Sequence, residues 1–107
     1  MTTFDQRKDA FENRFALDEE LRFKATARRN KLLGLWAAEK LGKSGAEADA
    51  YAKSVVLADF EEAGDDDVLR KVRSDFATAS VAVADEEIRR VMTELLIRAA
   101  EEVQAGR

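Results

Sequence analysis

Apolar side chains recur at spacings of three and four along most of this chain, the period of amphipathic helices. The clearest case is the last: after Asp85, a candidate N-cap, come Ile88, Val91, Met92, Leu95, Leu96, Ala99 and Val103. Before it, Asp65 or Asp66 can cap a shorter helix holding Val68, Leu69, Val72, Phe76 and Ala79. Ser44 with Glu47 has the spacing of a capping box and opens a helix that runs to about Glu62, with Ala48, Tyr51, Ala52, Val55 and Val56 on its stripe. Upstream, Leu21 to Leu41 carries Phe23, Ala27, Leu32, Leu33, Leu35 and Trp36, an apolar face wide enough for several packing neighbours. Gly42 and Gly64 supply the stops, because a helix end often needs a positive φ. Residues 78–84 have weak helical content and predict a connection. Four helices with short connections predict an all-α four-helix bundle with mostly antiparallel neighbours. Leu35, Trp36, Val55, Val56, Val72, Phe76, Val91, Leu95 and Leu96 are its expected core.

The amino-terminal stretch reads differently. Thr3 with Gln6 makes another capping-box pattern, and Phe4, Phe11 and Phe15 follow at i, i+7 and i+11, on one helical face. Asp18, ahead of Glu19 and Glu20, offers a second N-cap, and acids suit that end of a helix dipole. The pattern allows one long helix from Thr3 to Leu41 or an arm, residues 1–18, separable from a bundle of residues 19–107. Phe4, Phe11 and Phe15 with Arg7, Lys8 and Arg14 have the composition of a helix that seats an aromatic edge in a partner's groove. The ordinary alternative is that this edge packs on the bundle itself.

Composition narrows the chemistry. The 107 residues suit one domain, and 37% of them are charged, with a net charge of −4. An acidic chain is a poor non-specific ligand for nucleic acid, where affinity comes from neutralising phosphates. With no cysteine and no histidine, thiol nucleophiles, disulfides, iron–sulfur ligation and ordinary zinc sites drop out. No apolar run approaches ~18 residues, so no transmembrane helix is expected. Met1 to Ala10 lacks the apolar stretch of a signal peptide, and a cytoplasmic protein is the expectation.

No catalytic set emerges. Pairs such as Glu61–Glu62 and Glu101–Glu102 read as solvated helix faces. Asp65, Asp66 and Asp67 lack the alternating ligands of a calcium loop and read as caps. Gly42-Lys-Ser-Gly45 lacks the order of a phosphate loop. One basic stretch stands out: Lys24, Arg28, Arg29 and Lys31 follow Arg22 with no acid before Leu35. It is either a face paired with the acids around Asp59 to Asp67, or a site for a nucleotide's phosphates, since clustered Arg and Lys bind phosphate well.

Several runs resemble the zeta subunit family of alphaproteobacterial F-type ATP synthases. They are Phe23-Lys-Ala-Thr-Ala-Arg-Arg-Asn-Lys-Leu-Leu-Gly-Leu-Trp-Ala-Ala-Glu-Lys-Leu-Gly42, the opening Met-Thr-Thr-Phe-Asp5, Ala58-Asp-Phe-Glu-Glu-Ala-Gly-Asp65 and Val68-Leu-Arg-Lys-Val-Arg73. The resemblance covers nearly the whole chain. It implies a four-helix bundle with a mobile or refolding N-terminal helical arm. It implies a regulatory subunit, not an enzyme, that inhibits ATP hydrolysis by placing the arm in a catalytic interface of the enzyme's soluble head. It also implies ADP or ATP as a regulatory ligand on the bundle, with no cofactor required, and a monomer when free, held at the inner face of the inner membrane when bound to the synthase. Carried onto this chain, the inhibitory positions are Thr3 to Leu17, anchored by Phe4, Arg7, Phe11, Arg14 and Phe15, with Lys8 beside them. Lys24, Arg28, Arg29 and Lys31 are assigned to the nucleotide on charge alone. The competing functions are a stand-alone nucleotide-sensing protein and a helical adaptor for some other partner.

Overall fold

The computed structural model describes residues 19–59 and 66–106, which form four α-helices. These are α1 (Glu19–Lys40), α2 (Gly45–Ala58), α3 (Asp66–Thr78) and α4 (Asp85–Gln104). The described residues contain no strand, and Val81 to Val83 lie in the α3–α4 connection. The expected all-α bundle is the observed one. The proposed arm, the Thr3–Gln6 cap and the cap at Asp18 lie outside the described residues, as do Glu61, Glu62, Gly64 and Asp65. Among the described residues, no helix is long and apolar enough to cross a membrane.

The helix α1 is the centre of the bundle. It touches all three others, most extensively α2 and α4. That position demands burial on several sides, which α1 achieves with small residues. Ala25, Ala37, Ala38 and Gly34 are all buried. At Gly34 the approach of α2 is so close that a Cβ would stand 2.5 Å from the Cα of Ala52. The main core lies between Leu33 and Ala37 of α1, Val55 of α2, Val72 and Phe76 of α3 and Ile88 of α4. Trp36 packs edge-on against Phe76, with centroids 5.8 Å apart. A smaller cluster joins Leu21 and Ala25 to Ala100 at the other end of α4. Each large buried side chain contributes roughly 1.5–3 kcal/mol, against the entropy of ordering the chain.

The expected core is half right in depth. Val55, Val72, Phe76 and Val91 are buried, whereas Leu35, Trp36, Val56, Leu95 and Leu96 are only half-buried. Ile97, absent from the expected set, is 2% exposed. Phe23 departs furthest: its spacing places it on the apolar face of α1, yet it is 67% exposed. With neighbours on several sides of α1, spacing alone does not rank which apolar positions go deepest.

Helix ends show which local signals acted. Gly42, at φ +78°, closes α1 as expected: the amide of Gly42 donates to the Glu39 carbonyl (3.1 Å) and that of Lys43 to Ala38 (2.9 Å), a Schellman motif. The same motif ends α3 without a glycine. Ser80 takes φ +58°, its amide donates to Ala77 (3.1 Å), and the Val81 amide donates to Phe76 (2.8 Å). Two expected caps are not made. Ser44 flanks α2 but its hydroxyl makes no capping bond; Gly45, the first helical residue, turns to φ +55°, off the geometry a capping box uses. Asp85 is the first residue of α4 and not its cap, and its carboxylate instead accepts from Arg73 of α3 at 3.0 Å.

Candidate functional site

The basic stretch on α1 divides by helical geometry. Lys24, Arg28 and Lys31 are spaced i, i+4 and i+7 and share one stripe. Arg29, five residues from Lys24, falls about 140° around the axis and is buried, 1% exposed. Its Nε donates to Oδ1 of Asn30 at 2.8 Å inside the bundle. The fourth residue of the expected phosphate cluster therefore stands apart from the other three. Of those three, Lys24 pairs with Glu20 one turn back at 2.8 Å, with both side chains well exposed. Arg28 reaches across to Glu102 of α4 at 3.4 Å, and Glu102 also takes Arg98 at 3.1 Å. Lys31 is exposed. Among the described residues, acids that meet this stripe include Glu20 of α1 and Glu102 of α4. Of the acids that follow α2, Asp66 is exposed, 3.9 Å from Arg89, and Asp67 is buried, accepting from Arg70 at 3.2 Å.

An open cleft of about 360 Å³ lies between the amino-terminal half of α1 and the end of α2. Phe23, Thr26, Ala27 and Asn30 line it from one side, Val56 and Asp59 from the other, with the charges of Glu19 and Arg22 on its wall. Asn30 is 1% exposed; its Oδ1 is used by Arg29, while its Nδ2 has no hydrogen-bond partner. A buried amide left without an acceptor costs about 1–3 kcal/mol. Leu57, beside Val56 on α2, is 56% exposed. Two large exposed apolar side chains, Phe23 and Leu57, thus flank one end of the α1–α2 pair.

A second cleft, of about 370 Å³, lies where the α1–α2 turn meets α3. Here Tyr51 donates from its hydroxyl to Oδ2 of Asp75 at 2.7 Å, and Lys71 donates to the same oxygen at 3.0 Å. The Lys71 ammonium also sits over the Tyr51 ring, 5.2 Å from its centroid. Burial raises the pKa of the Tyr51 phenol well above its ordinary value, and the hydrogen bond to Asp75 and its negative charge raise it further. A phenol held protonated in this way is a structural tie between α2 and α3 and a poor base or nucleophile.

Among the described residues no group of acids could hold a metal ion. The partner-binding positions Phe4, Arg7, Lys8, Phe11, Arg14 and Phe15 lie outside the described residues. What sequence reasoning missed is Asn30 and the cleft beside it. A lone asparagine on a wide apolar helix carries no pattern, and its environment is set by Arg29 and α2.

No curated protein matches the chain. A chain solved by NMR and described as "Solution NMR structure of the protein" is 49% identical, with a TM-score of 0.72; the match covers 81% of the present chain and 99% of that one. The family described as "ATPase inhibitor subunit zeta" matches residues 1–102, so the chain belongs to that family of regulatory, non-catalytic subunits of ATP synthase.

Proposed function

We propose that the chain restrains ATP hydrolysis by an F-type ATP synthase by inserting residues 3–17, as a helix, into a catalytic interface of the soluble head. The observation that carries this reading is the span of the family match, which begins at residue 1 and so takes in the aromatic edge as well as the bundle. About fifteen helical residues measure ~22 Å, long enough to enter a cleft between subunits. Phe4, Phe11 and Phe15 supply the apolar burial, and Arg7, Lys8 and Arg14 fix register by pairing with acids. The four-helix body remains outside and limits how far the arm can travel. In this arrangement the protein sits at the inner face of the membrane that carries the synthase.

ADP or ATP acts as a regulatory ligand on the bundle, through differential affinity for two arrangements of the chain. The stripe of Lys24, Arg28 and Lys31 suits the phosphates; Arg29 supports it only from within the core. Titrating ATP into the full chain, with Lys24→Ala and Lys31→Ala as controls, tests that part, and an unchanged affinity in both variants removes the stripe from the site.

Deleting residues 1–17 tests the central reading. The truncated chain should keep its helical signal and lose inhibition of ATP hydrolysis by the purified synthase. Equal inhibition by the truncated and full chains rejects insertion.

A further inference from the structure

We propose that α3 (Asp66–Thr78) opens from the bundle as a unit while α1, α2 and α4 stay folded, baring the apolar floor of Leu33, Ala37, Val55 and Ile88 beneath it.

The other three described helices hold together without α3. Their most extensive contacts are those of α1 with α2 and with α4, whereas α2 and α4 do not meet each other. The α1–α2 crossing is tight at Gly34, against Ala52. The α1–α4 pair is tied in two separate places. Leu21 and Ala25 pack on Ala100, with Arg28 and Glu102 paired at 3.4 Å, and further along Lys40 stands 3.9 Å from Glu87. None of these contacts involves α3.

The helix α3 is placed differently. It meets each of the other three less extensively than α1 meets α2 or α4. Val68, Leu69, Val72 and Phe76 bury one face, while Arg70, Arg73, Ser74 and Ala77 leave the opposite face bare. Several ties from α3 to its neighbours are polar: Tyr51 to Asp75 at 2.7 Å, Arg73 to Asp85 at 3.0 Å and Asp66 to Arg89 at 3.9 Å. Ties of this kind exchange for water on opening at little net cost.

Two features work against the closed form. Near the start of α3, Oδ2 of Asp67 is buried with no hydrogen-bond partner, and water satisfies it once the helix lifts. At the other end, Ser80 is held left-handed at φ +58° while the Val81 amide donates to Phe76. Opening frees that serine to return to the ordinary side of φ. Burial of four apolar side chains keeps α3 down most of the time. Opening α3 alone still exposes less surface than unfolding the whole chain, so it is the cheaper fluctuation. Anything that binds one arrangement more tightly moves the chain toward it, which makes α3 a point of control.

Native-state hydrogen exchange of the ¹⁵N-enriched full chain, followed by NMR in denaturant below the unfolding transition, tests this. The amides of Val72, Arg73 and Phe76 should exchange at least about tenfold faster than those of Leu33, Ala37 and Met92, with a shallower denaturant dependence, because the opening exposes only part of the surface. Ala100→Gly weakens the α1–α4 contact in the closed and the open forms alike. It should therefore speed exchange at Leu33 and Ala37 by about fivefold or more, and at the α3 amides by a smaller factor. Equal rates and slopes in α3 and α1 overturn the proposal, and so does a common factor of speeding in all of these helices.

Discussion

Gly34→Ala sets two effects of opposite sign against each other. Gly34 lies within α1, where alanine is the better helix former by about 0.8–1.0 kcal/mol. Propensity alone thus predicts a stabilised protein. Against it stands the crossing with α2: the new methyl would meet Ala52 at 2.5 Å from Cα, 3.1 Å from Cβ and 3.3 Å from the carbonyl oxygen. Two of those three atoms are backbone, so no rotamer change relieves them. Restoring ordinary carbon–carbon contact requires the helices to separate by about 1 Å, and a gap of that size forfeits up to half the dispersion energy of the contacts it opens. Those contacts include Leu33, Ala37 and Val55, all fully buried. Overpacking of this kind costs typically 1–3 kcal/mol, and the most extensive helix–helix interfaces of the bundle include this one. We expect a net loss of about 2 kcal/mol, seen as a melting temperature lower by roughly 10 °C. Circular dichroism melts of the two chains measure it. Adding Ala52→Gly removes the 3.1 Å contact but leaves the 2.5 Å one, so it should recover only part of the loss. An unchanged or higher melting temperature in Gly34→Ala alone would refute the close crossing.

Ser80 adopts a left-handed conformation in a motif that favours glycine, so Ser80→Gly should stabilise the chain by about 0.5–1 kcal/mol in denaturant titration, the strain relieved exceeding glycine's entropy; destabilisation would show that the serine side chain matters there. Arg29→Ala should cost about 2–4 kcal/mol, because it opens a hole and strips a buried donor from Asn30, whereas exposed Lys31→Ala should stay within about 0.5 kcal/mol. Equal effects of the two would contradict their opposite placement. Tyr51 is the one tyrosine, so phenolate absorbance reports it alone. Its folded pKa is raised, so the stability it contributes is complete below about pH 10, the ordinary tyrosine value, and is lost as pH rises from there toward the folded pKa. Absorbance should lag until the chain unfolds, and Asp75→Asn should bring it lower; an ordinary midpoint in the folded protein would contradict the half-buried Tyr51–Asp75 bond.

The helices were legible because each carries a near-local instruction. The 3.6 period of Ile88, Val91, Met92 and Leu95 needs no knowledge of what α4 packs against. Gly42 as a stop rests on the backbone freedom of one residue. Capping was less legible, because the side chains that could cap had alternatives: Asp85 found Arg73 across the α3–α4 connection. The basic stretch shows the limit most plainly. Four cations within eight residues read as one cluster along the sequence, and helical geometry separates Arg29 from the other three.

The sequence by itself thus determined an all-α fold, with four helices among the described residues and one aromatic-rich end, because composition and periodicity act over a few residues at a time. Only the tertiary structure decided which flank of α1 lies innermost, that Arg29 and Asn30 are interior while Phe23 is bare, and that a cleft opens beside them. Those outcomes depend on where α2 and α4 cross α1. The crossing at Gly34 is a contact between residues 34 and 52, on separate helices, and no local pattern encodes it.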